Sequence, residues 1–87
     1  MSTERQLCDL EHRVYQAKVI HRRVERDAPK GDGHATAVEV LEEQADKAIR
    51  TGRRAGAAAD IRRIELTVSA YADGVNGLKL ALRLARH

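Results

Sequence analysis

Residues 72–86 read ADGVNGLKLALRLAR. Two turn dipeptides, Asp73-Gly74 and Asn76-Gly77, precede a leucine at every second position, so the stretch admits a turn followed by a strand. A strand of alternating leucines needs partner strands, and nothing else in the chain alternates with that period. Leu, Lys, Ala and Arg are also among the strongest helix formers. The apolar positions decide the matter. Val75, Leu78, Leu82 and Ala85 continue a series begun by Ala57, Ile61, Ile64, Val68 and Tyr71, spaced three or four residues apart straight through both glycines. The reading is one long helix, bent at most near Gly74–Gly77, where each glycine costs about 1 kcal/mol relative to alanine.

Working back from that helix, two more segments carry the same spacing. Leu7, Leu10, Val14, Ala17, His21, Val24 and Ala28 form a heptad seam interrupted only by the histidine, and Val38, Leu41, Ala45, Ala48 and Gly52 form a second. Ser2 and Thr3 are candidate caps for the first helix. Pro29, Gly31 and Gly33 force a turn after it. The seam of the second helix is two residues out of phase with that of the third, so one continuous helix would turn an apolar face into water. The chain is therefore expected to break at Thr51–Gly56, with Gly52 as the helix C-cap. The expected fold is all-α: a single domain, residues 1–87, folded as an antiparallel three-helix bundle with helices at about 3–28, 35–51 and 56–86.

Removing the seam residues from the third helix leaves a second apolar stripe, Ala59, Leu66, Ala70, Asp73, Gly77, Leu80 and Leu84, on the opposite face. Two stripes imply two packing partners. They could be the first and second helices, one on each side. Alternatively one stripe packs internally and the other against a second copy or another protein. An 87-residue chain without Phe or Trp has little apolar bulk to spend on a core. The third helix would also overhang the shorter second one. Both points favour a homo-oligomer with Leu66, Ala70, Gly77, Leu80 and Leu84 as contact residues. Val19 and Ile20, outside the first seam, and Tyr15 at its edge add to the same tendency.

Chemistry is sparse. Cys8 and His12 stand one helical turn apart, but His21 and His34 lack ligand-like spacing to them, so no metal or cofactor is expected. No nucleophile–base pair or glycine-rich phosphate loop can be placed, which argues against an enzyme. Glu39, Glu42, Glu43 and Asp46 read as a solvated acidic face, and His21 as a core-edge residue with one nitrogen in water. The charge of +3 is mildly basic. Arg22, Arg23, Arg26, Lys30, Arg83 and Arg86 suit helix C-termini. Arg53, Arg54, Arg62 and Arg63 instead precede or open the third helix, where they could hold an anion or simply pair with Asp60 and Glu65. The leading expectation is a non-enzymatic helical interaction or regulatory module acting as a homo-oligomer. The alternative is a nucleic-acid- or phosphate-binding accessory protein using that arginine pole. The single cysteine, the charged start of the chain and the lack of a long apolar run make cytoplasmic location the expectation, with no membrane partner.

Overall fold

The computed structural model describes residues 2–85. Three helices, α1 (Thr3–Glu25), α2 (Gly33–Ala55) and α3 (Ile61–Ala85), pack on one another, with a single 3-10 turn at Gly56–Ala58 and no strand among the described residues. The all-α three-helix bundle is thus the observed architecture. Cross-helix contacts give the directions. Lys18 meets Asp46 and Arg22 meets Glu42, so α1 and α2 run antiparallel. Gly52 lies under Ile64 and Gly74 under Leu41, so α2 and α3 are antiparallel as well. The bundle is rod-like, 48 × 20 × 17 Å.

Each boundary has a local cause. The Ser2 hydroxyl accepts the Arg5 N–H at 3.3 Å and opens α1. The helix ends at Glu25, three residues short of the expected 28, because Pro29 disfavours helical backbone before it and the Asp27 and Ala28 N–H groups bond back only to Val24 and Glu25. The Asp32 carboxylate accepts the His34 N–H at 2.9 Å and starts α2 at Gly33, ahead of the expected 35.

The α2–α3 junction differs most from expectation. Gly52 does not end α2; it is buried inside the helix. A Cβ built there would lie 2.6 Å from Ile64 Cδ1 and 2.9 Å from Leu7 Cδ2, so the glycine serves close packing. The break falls at Gly56, whose φ of 58° is open to glycine at little cost. Its N–H bonds to the Gly52 carbonyl. Ala59 is extended, and the Asp60 carboxylate then accepts the Arg63 N–H at 3.1 Å as the cap of α3. The third helix therefore begins at Ile61 rather than 56, and the overhang shrinks because α2 is longer. Arg86, the expected last helical residue, lies outside the described residues. Between Ile61 and Ala85 α3 is unbroken through Gly74 and Gly77. At Gly74 the missing side chain makes room for Leu41, since a Cβ would sit 2.8 Å from its Cδ1.

The core follows the expected seams of α1 and α3, but on α2 the buried line is Val38, Glu42, Ala45, Ile49 and Gly52, one residue over from the expected Leu41 and Ala48, which are only partly buried. Leu7, Leu10, Val14, Ala17 and Val24 of α1 meet Val38, Ala45 and Ile49 of α2 and Ile64, Val68, Tyr71, Val75 and Leu78 of α3. With no Phe or Trp to fill space, small residues let the helices approach: Ala17 and Ala45 are buried at the centre.

Candidate functional site

The outer face of α3 carries three exposed leucines; Tyr15 and Val19 of α1 and Val40 of α2 are exposed singly elsewhere. Leu66 is 65 % exposed, Leu80 54 % and Leu84 64 %, while Val68 and Leu78 on the inner face are fully buried. Ala70 and Asp73 are exposed on the same outer line. Gly77 departs from that line's behaviour. It is half-buried, with a Cβ position 3.7 Å from the His34 ring, so its smallness accommodates His34 of the same chain. Ala59 precedes the helix and packs on the core instead of extending the stripe. Apart from His34 of α2 beside Gly77, neither α1 nor α2 covers the leucines of the outer face. Tyr15 lines the α1–α2 groove, away from α3, and Ile20 packs on the core.

The arginines divide. Helix α2 runs to Ala55, so Arg53 and Arg54 lie in its last turn, where the macrodipole favours cations, and not ahead of α3. Arg53 is engaged by Glu11 of α1, and its Nη2 lies 3.7 Å from Cys8 Sγ. The hydrogen bond from Arg53 holds the Glu11 carboxyl below its usual range and raises the guanidinium further. The expected partners Asp60 and Glu65 are not used. Arg54, Arg62 and Arg63 are exposed and have no ion-pair partner among the described residues. Arg63 and Asp60 rim a shallow groove of about 550 Å³ between α2 and α3, floored by Ala48, Gly52, Ala59 and Ile64.

A polar cluster that sequence reasoning missed ties the three helices together. His21 of α1 is fully buried rather than at the core edge. Its Nδ1 lies 2.9 Å from the Tyr71 hydroxyl of α3 and 3.5 Å from Glu42 of α2. Glu42 is buried too, and not part of a solvated acidic face: Arg22 donates to both of its oxygens at 2.7 Å. That pair raises the Arg22 guanidinium. Burial pushes the Tyr71 hydroxyl well above its ordinary range, and the Glu42 carboxylate adds to the effect. Glu39, one turn before Glu42, has its carboxyl raised by the neighbouring Glu25 carboxyl, with which it would share a proton.

His21 Nε2 is buried without a partner. Nδ1 takes all of the ring's polar contacts, with Arg22 Nη1 at 3.4 Å beside the Tyr71 hydroxyl and Glu42. The available signal was Tyr71: a residue with a polar tip on the core seam of α3 needs a partner, and His21 is the polar residue on the seam of α1. Because α1 supplies His21 and Arg22, α2 supplies Glu42 and α3 supplies Tyr71, the cluster links all three helices. Its His21–Tyr71 centre is enclosed, while the Arg22 side chain reaches solvent.

Among the described residues no group of three or more His, Cys, Asp or Glu side chains is arranged to hold a metal ion, and no helix is long and apolar enough to cross a membrane. Comparison with protein-family models, with curated proteins and with solved structures found no match.

Proposed function

We propose that this chain is a small non-enzymatic interaction or regulatory module that acts as a homo-oligomer, with α3 as its contact element. The observation that carries the reading is the line of Leu66, Leu80 and Leu84, each more than half exposed on a helix whose opposite face is buried from Ile64 to Leu78. Single exposed leucines are ordinary; three on one line of one helix are a contact surface. Cytoplasmic location belongs to the same proposal, supported by the exposed free thiol of Cys8.

The test is the solution mass of the protein and of Leu80→Glu, measured by sedimentation at high micromolar concentration. The wild type should exceed the monomer mass and the variant should fall to it while keeping its helical circular dichroism. A monomeric wild type contradicts the reading, and an unfolded variant would mean that Leu80 supports the core.

A second reading, binding of nucleic acid or phosphate, retains the exposed trio Arg54, Arg62 and Arg63, although Arg53 is occupied by Glu11. Titration with duplex DNA, RNA and inorganic phosphate at low salt separates the two. Saturable binding lost in Arg62→Gln/Arg63→Gln would favour it; its absence leaves the association reading alone.

A further inference from the structure

The outer stripe of α3 is self-complementary when reversed. Leu66 and Leu84 are 18 residues apart, or about five helical turns, so they project from the same angular position at opposite ends of the stripe. Between them, Ala70 near one end mirrors Leu80 near the other, and Asp73 mirrors Gly77. Resting on the homo-oligomer reading above, we infer that the partner is a second copy of this chain packed α3 against α3, antiparallel, about a two-fold axis near Val75.

In that register Leu66 meets the partner's Leu84, Leu80 fits over the partner's Ala70, and the polar centre falls where Asp73 faces the partner's Gly77 and the His34 ring packed beside it. Each contact occurs twice, as an isologous interface requires. Large residues oppose small ones in the inner layers, and leucines oppose leucines at the ends.

Charge selects the antiparallel direction. Glu65 and Arg83 are again 18 residues apart, on one flank of the stripe, both exposed and neither in an ion pair among the described residues. In an antiparallel pair that flank faces its own copy. Glu65 then lies about 3 Å along the axis from the partner's Arg83, and the symmetric pair forms at the other end. In a parallel pair Glu65 and the partner's Arg83 stand roughly 27 Å apart and cannot meet. Asp73 works against the dimer, since the two copies of it come within about 6 Å along the axis at the centre. With six leucines and about 27 Å of overlap, the contact belongs with small interfaces, below roughly 1,200 Å² in total. Association in the micromolar range or weaker follows.

The experiment uses the full chain at several concentrations, with dimer dissociation measured by sedimentation equilibrium. Glu65→Arg and Arg83→Glu should each weaken the dimer roughly five-fold or more, and the double exchange should restore it. Asp73→Asn should tighten it. Loss in the single variants without rescue in the double overturns the antiparallel register.

Cysteine pairing supplies a second readout. In a Cys8→Ser background, an equimolar mixture of Leu66→Cys and Leu84→Cys should form a disulfide-linked heterodimer under mild oxidation, while neither variant links to itself. Self-linking by either variant shows a parallel arrangement, which overturns this inference but leaves the homo-oligomer reading standing. A wild type that stays monomeric at several hundred micromolar removes both.

Discussion

Helix α3 has two leucine-bearing faces with opposite fates. On the inner face Leu78 is fully buried in the core; two positions later, Leu80 on the outer face is 54 % exposed. Composition does not separate them, and both lie within one unbroken helix. What differs is whether another helix of the chain lies opposite. An apolar stripe reports the need for a partner, and the tertiary arrangement determines whether that partner is internal.

The sharpest way to break this comparison is to truncate one leucine on each face. Leu78→Ala should cost about 2–5 kcal/mol, through lost burial and the cavity left behind. Leu80→Ala, measured by thermal unfolding at a concentration where the chain is monomeric, should stay within about 0.5 kcal/mol of wild type. Similar losses at both positions would mean that the outer face supports the monomer's core.

A smaller effect is expected from the polar part of the inner face. Tyr71→Phe keeps the ring packing but removes the group that faces His21 Nδ1 at 2.9 Å, leaving a buried imidazole with less to bond to. The cost should be about 1–3 kcal/mol by urea unfolding. A neutral result would show that the His21–Tyr71 contact is incidental to holding the three helices together.

The smallest effects should come from glycines that share a residue type but not an environment. Gly52→Ala pushes a methyl into Ile64 and Leu7, and the two flexible side chains must give way, so destabilisation of roughly 1 kcal/mol or more is expected. At Gly77 a methyl would stand 3.7 Å from the His34 ring, an ordinary contact, and the gain in helix propensity should stabilise by up to about 1 kcal/mol. Melting temperatures that move in opposite directions would confirm that the two glycines serve different purposes.

The seams of α1 and α3 were legible because helical period survives in any single sequence: Val14, Val68, Tyr71 and Leu78 lie on core lines by spacing alone, whereas His21, on the same spacing, reads as a core-edge residue and is fully buried. Continuity through Gly74 and Gly77 followed from the same register, and α3 is indeed unbroken there. The α2–α3 junction was misread because Gly52 and Gly56 are equally good helix terminators by type. Only the tertiary structure shows that Gly52 is needed where Ile64 and Leu7 converge, which frees Gly56 to make the turn.

Burial of Glu42 was invisible for a related reason. An acid beside Glu39 and Glu43 looks solvated until Arg22 of another helix is seen to neutralise it. The candidate contact residues Leu66, Ala70, Leu80 and Leu84 are together on an exposed face, whereas Gly77 was assigned by spacing to a line from which His34 partly withdraws it.

The most direct test of the central claim is a dilution series followed by methyl NMR on the wild-type chain, from several hundred micromolar to a few micromolar. The methyl signals of Leu66, Leu80 and Leu84 should move with concentration, while those of Leu7, Leu10 and Leu78 hold still. Outer-face signals that stay fixed across the whole range would contradict association through α3.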